Sequence, residues 1–172
     1  KIKYSHYGFS VNNQDSFLDM SENNPTGVIV SNETVKNIDI SQKNFSGSIF
    51  KNMIFENVKI SESKFLGTQF QNVTFHNSRI NYSDLSGSKL EHFQFIDGNL
   101  DNSKFINSKI SNLLLKNSSL KETNFSFSTM SEITYDSLSL KSSNLENLSL
   151  QQSYFINSNL KDATISNSKL SI

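Results

Sequence analysis

A chain of 172 residues suffices for one domain with a substantial core. Its 16 basic and 16 acidic residues leave a formal charge of zero, which argues against a large positive field for nucleic acid. With no cysteine there is no disulfide, thiolate metal site or cysteine nucleophile, and no run of about 18 apolar residues supplies a membrane-spanning helix.

Residues 1–29 form the first predicted unit. Tyr4, Tyr7, Phe9 and Phe17, with the lone Pro25, follow no fixed spacing. They read as an N-terminal cap or linker over the first turn of a repetitive structure, whose open end otherwise exposes apolar side chains and unpaired backbone. A first residue of Lys1 in place of Met points to a processed chain or an excised piece of a longer one.

Residues 30–172 form the second unit. A hydrophobic content of 35% with heavy use of Ser and Asn suggests disorder, but the spacing says otherwise. Every fifth residue from Val30 to Leu170 is apolar or aromatic, 29 positions without an exception. A period of five fits neither the 3.6 of a helix nor the 2.0 of a flat strand. The chain must turn repeatedly so that each fifth side chain reaches one interior. The residue two places earlier is Ser, Thr, Gly or Ala at 17 of 27 sites between 38 and 168, a second inward position close to the backbone. The remaining sites are mostly Asn, Ser, Lys, Gln, Asp and Glu, as solvent-facing positions should be.

Triplets such as Ser83-Asp84-Leu85, Gly98-Asn99-Leu100, Ser143-Asn144-Leu145 and Ala163-Thr164-Ile165 resemble the pentapeptide-repeat motif, Ala-(Asp/Asn)-Leu-X-X. The resemblance covers roughly residues 30 to 170. It implies an all-β fold, the right-handed quadrilateral β-helix, in which four pentapeptides make one square coil; about seven coils follow from the length. Ser replaces the usual Ala, and only Ala163 conforms. Each such hydroxyl needs a backbone partner.

Four sides demand a second period of twenty, and the sequence has it. Ile40, Ile60, Ile80, Leu100, Leu120, Leu140 and Leu160 form one aliphatic column. Phe55, Phe75, Phe95, Leu115, Tyr135 and Phe155 form a largely aromatic one, with Met53, Val73, Phe93, Leu113 and Ile133 beside it. Gly47, Gly67 and Gly87 stand twenty apart and mark a corner needing positive φ. Asn37, Asn57, Asn77, Asn117 and Asn157 repeat likewise. At the C-terminal end the pattern runs off at Leu170 and Ile172, an uncapped coil suited to a longer chain or to end-to-end homodimerisation.

Chemistry is sparse. His6, His76 and His92 share no metal-ligand spacing, no Gly-X-Ser-X-Gly elbow or phosphate-binding glycine loop occurs, and a smooth rod offers no concave setting for a carboxylate pair. The expectation is no enzyme activity, no cofactor and no metal. The wall around the aromatic column carries Ile54, Ile96, Leu114, Tyr154 and Ile156 outward, a candidate partner-binding patch. Lys121, Lys141 and Lys161, with Lys116 nearby, read as part of a solvated charged wall beside Glu122 and Asp162.

The resemblance implies two functional classes. One is a protein-binding scaffold, as in the repeat domains of secreted bacterial effectors delivered into host cells. The other is a DNA mimic that binds topoisomerases, as the quinolone-resistance pentapeptide proteins bind gyrase. Mimicry requires a uniformly negative surface, and the even charge here favours the scaffold, with a protein partner and no nucleic acid.

Overall fold

The computed structural model describes residues 10–11, 22 and 26–171, the side chains of residues 22 and 26–169 among them. The predicted cap residues Tyr4, Tyr7, Phe9, Phe17 and Pro25 lie outside the described residues. Among the described residues every regular element is a strand. They are β1 (Ser10–Val11), β2 (Ile29–Ser31), β3 (Thr34–Lys36), β4 (Ile49–Glu56), β5 (Gln69–His76), β6 (Lys89–Ile96), β7 (Lys109–Lys116), β8 (Thr129–Asp136), β9 (Ser149–Gln151), β10 (Tyr154–Ile156) and β11 (Lys169–Ser171).

All eleven belong to one parallel sheet whose main path runs β1-β2-β4-β5-β6-β7-β8-β9-β11. Register is twenty from β2 onward: Phe50 pairs with Phe70, Phe70 with Leu90, and Leu90 with Ile110. The chain thus returns to the same place every fourth pentapeptide, a four-sided parallel β-solenoid. Each of its four walls carries one inward column: wall one from Val30 to Leu150, wall two from Val35 to Phe155, wall three from Ile40 to Leu160, wall four from Phe45 to Ile165. The eight-residue strands β4 to β8 run unbroken through walls one and two. Walls three and four are joined by single bridges, such as Asp39 to Lys59 and Asn44 to Lys64.

Corners explain the Asn and Gly content. Every fifth residue from Gly27 to Asn167, three places before an inward column position, has positive φ, and 13 of these corners are Asn and four Gly. Only residues that tolerate the left-handed region sit there at low cost. At Leu85–Ser88 the Ser88 amide bonds back to the Leu85 carbonyl at 3.2 Å with Gly87 at φ +69, a type II turn. Corner amides also bond to each other, Asn57 Nδ2 donating to Asn37 Oδ1 at 2.9 Å.

The core is a stack of like side chains. Phe55 and Phe75 lie with centroids 4.4 Å apart and planes 5° from parallel, Phe105 and Phe125 at 4.8 Å, and Tyr135 and Phe155 at 4.3 Å. Such pairs contribute about 0.5–1.5 kcal/mol beyond burial. The predicted second inward position is buried as well, including Ser63, Ser83, Ser103 and Ser143.

The serines that replace Ala stitch the coils together. Ser83 Oγ accepts the Ser63 amide at 3.0 Å and donates to the Ile60 carbonyl at 3.2 Å. Ser128 Oγ does the same with the Ser108 amide and the Phe105 carbonyl. The bulkier Met53, Val73, Phe93, Leu113 and Ile133 instead lie within strands, where the sheet ladder holds the backbone.

Candidate functional site

Flat walls of a rigid rod are surfaces for other molecules, so the outward positions decide what it can do. On wall two the sequence-predicted residues all face outward. Ile54, Tyr154 and Ile156 are 47%, 56% and 46% exposed, while Ile96 and Leu114 are half-buried. They do not form one continuous strip. Thr74 and Gln94 stand between Ile54 and Leu114 in the column, and Thr134 between Leu114 and Tyr154. The structure brings together Ile96 and Leu114, diagonal neighbours because Gln94 pairs with Leu114 and Ile96 with Lys116. Tyr154 and Ile156 share β10. Beside Leu114 a shallow hollow of about 350 Å³ is lined by Asn72, His92, Gln94, Asn112 and Glu132.

Two exposed aromatics escape the periodicity. Tyr82 and Phe127, each 60% exposed, sit at positive-φ corners on either side of wall four, whose outer surface also carries Leu66 and Ile106. The signal for them is their place two residues after an inward column position, where Asn or Gly is usual. At the last coil Phe155 and Leu160 are partly covered and Ile165 is 47% exposed.

Charged groups are mostly isolated. His76 Nε2 lies 3.2 Å from Asp97 Oδ2, both half exposed. The Asn117 amide, donating to Asp97 Oδ1 at 2.6 Å, and then His76 hold the Asp97 carboxyl below the usual carboxylate range. The Ser41 bond, with Lys59 at 3.5 Å, does the same for Asp39. What these two carboxylates add is present above their ordinary value of 3.8 and is lost as pH falls through the lowered folded values. Among the described residues no three His, Asp or Glu side chains gather as metal ligands do, and no helix is long and apolar enough to cross a membrane.

Charge also follows the twenty-residue register. Among residues 26–171 no two carboxylates occupy consecutive coils of one column, whereas cations do at Lys59 and Arg79, at Lys89 and Lys109, and at Lys121, Lys141 and Lys161.

Square coils, inward columns and polar corners define a solenoid repeat scaffold. Sequence comparison places it further: residues 28–105 and 48–127 match the pentapeptide repeat region, and residues 139–171 match the eight-copy pentapeptide repeats. The chain belongs to the pentapeptide repeat family, whose members are generally non-catalytic scaffolds. It is similar in structure to a trypsin-treated form of QnrB1, a plasmid-mediated fluoroquinolone resistance protein, at 15% identity and TM-score 0.50, covering 94% of this chain and 90% of that one. A pentapeptide repeat protein of the Arabidopsis thaliana thylakoid lumen is similar at 22% identity and TM-score 0.53, over 56% of this chain and 67% of that one. These likenesses concern the fold. No curated protein matches in sequence.

Proposed function

We propose that the chain is a non-catalytic scaffold that holds a protein partner against wall two. The observation that carries this reading is the Ile96–Leu114 pair, two large aliphatic residues on diagonal positions of adjacent strands of a stiff sheet, Leu114 at the edge of a polar hollow. Apolar groups placed centrally with a polar surround are how protein interfaces concentrate their energy. Ile54, Tyr154 and Ile156 extend the same wall as outlying contacts. The setting that the family resemblance supports is the repeat domain of a larger secreted bacterial effector, the partner being a host protein or a substrate.

Capture of a partner by the intact chain, compared with Ile96→Arg and Leu114→Arg variants, tests the surface. Both variants should retain the β-rich circular dichroism of the parent and lose the partner; undiminished capture by both contradicts the proposal. A gyrase-binding role, favoured by the likeness in fold to QnrB1, is the second reading. A mimic of duplex DNA copies a phosphate array that repeats without interruption, and the absence of stacked carboxylates weighs against it. Supercoiling by purified gyrase should proceed unchanged in the presence of this chain; inhibition would favour the mimic.

A further inference from the structure

Wall three carries an arrangement that folding alone does not favour. The Glu122 amide bonds to the Lys141 carbonyl and the Ser142 amide to the Lys161 carbonyl, both at 2.9 Å, so Lys121, Lys141 and Lys161 stand in three consecutive coils. Consecutive rungs are about 4.8 Å apart, and like charges directly opposite each other across a ladder destabilise it. All three side chains are exposed, and no carboxylate lies within ion-pair distance of any of them among the described residues. Asp101, one coil before Lys121 in the column, is already engaged: it accepts the Lys121 amide at 2.8 Å, Ser119 Oγ at 2.6 Å and Asn99 Nδ2 at 3.1 Å. Glu122 and Asp162 occupy the adjoining corner and pair with none of the three.

Next to the ladder lies a second observation. An open hollow of about 510 Å³ runs along the same wall, lined by Lys121, Asn117, Ser119, Ser137, Ser139 and Asn157. The backbone at Gly98 also lines it. Hydroxyls and amides therefore repeat along the rod axis beside ammonium groups with the same repeat. We propose that this strip binds a linear acidic polysaccharide, a chain whose rings recur with a carboxylate each and whose hydroxyls meet the Ser and Asn side chains.

Nucleic acid fits the strip less well. Single strands are held by stacking their bases on aromatic side chains; the coils of the three lysines present none on wall three, and the exposed Tyr82 of the adjoining corner lies two coils before Glu122. Guanine is read by a forked arginine, and the one arginine, Arg79, lies two coils before Lys121 and on the neighbouring column. A saccharide needs neither. It needs cations at a fixed rise and a polar trough, and both are present.

Isothermal titration of the whole chain with oligogalacturonate tests this. Binding is expected at about 50 mM salt and should weaken about tenfold by about 200 mM, as release of counterions from a few neutralised charges requires. Lys141→Gln should weaken it, and Lys121→Gln, Lys141→Gln and Lys161→Gln together should abolish it, with circular dichroism unchanged. Lys64→Gln with Lys104→Gln, on wall four, should leave it intact, as should Ile96→Arg on wall two. Failure of oligogalacturonate to bind overturns the proposal. So does equal binding of neutral galactan, survival of binding in the triple variant, or tighter binding of single-stranded DNA through the same lysines.

Discussion

The Ser63 amide donates to Ser83 Oγ at 3.0 Å, a bond between residues twenty apart that joins one coil to the next. Ser83 Oγ passes its own proton toward the Ile60 carbonyl at 3.2 Å, so one buried hydroxyl satisfies two backbone groups. Removing it leaves both without that partner. Ser83→Ala should therefore destabilise the fold by about 1–3 kcal/mol, read as a shift of the urea midpoint. Ala163 shows how the chain manages without the hydroxyl: the Ser143 amide, which would have reached it, bonds to the Leu140 carbonyl at 3.1 Å.

Gly98 and Gly67 should respond in opposite ways to a side chain. A Cβ at Gly98 meets a Phe95 ring carbon at 2.5 Å and the Ser78 carbonyl oxygen at 2.6 Å, while at Gly67 nothing lies within 4 Å and the constraint is φ +62. Gly98→Ala should cost about 1–3 kcal/mol through overpacking. Gly67→Asn places at a corner the residue found most often at these corners, and thermal unfolding should show little change.

Tyr135 is fully buried, and among the described residues its hydroxyl has only the Met130 sulfur at 3.6 Å, a weak acceptor. Burial pushes its phenol far above the ordinary value of 10.0, so the folded state keeps the proton that the unfolded state gives up. The resulting stability is intact below pH 10 and falls as pH rises beyond it, by about 1.4 kcal/mol per unit. Tyr135→Phe should match or exceed the parent at neutral pH, and its advantage should grow above pH 10. Parallel stability curves for the two proteins through that range contradict this.

Much of the fold is legible because burial repeats in the sequence at the interval at which the chain repeats in space. Ile40 and Ile60 announce their stacking, and Gly47, Gly67 and Gly87 announce a left-handed corner. The need of each serine hydroxyl for a backbone partner is likewise legible, but not that it bridges residues twenty apart. Tyr82 and Phe127 are opaque, since their corner conformation is imposed by the coils around them and not by their own preference. Gly98 reads as another small motif residue, and only the placement of the Phe95 ring and the Ser78 carbonyl shows why no methyl fits there. On wall two, the outward direction of Ile54, Ile96, Leu114, Tyr154 and Ile156 follows from the period. The closeness of Ile96 to Leu114 depends on strand register.

Every surface described here depends on residues twenty apart sharing a column. Spin labels at Thr34→Cys and Thr134→Cys, in a chain with no other cysteine, measure that directly, since the two sites are one hundred residues and five coils apart on wall two. A narrow distance distribution near about 24 Å, five strand spacings, apart from the length of the labels, is expected. A broad distribution, or one centred well beyond that separation, would contradict it.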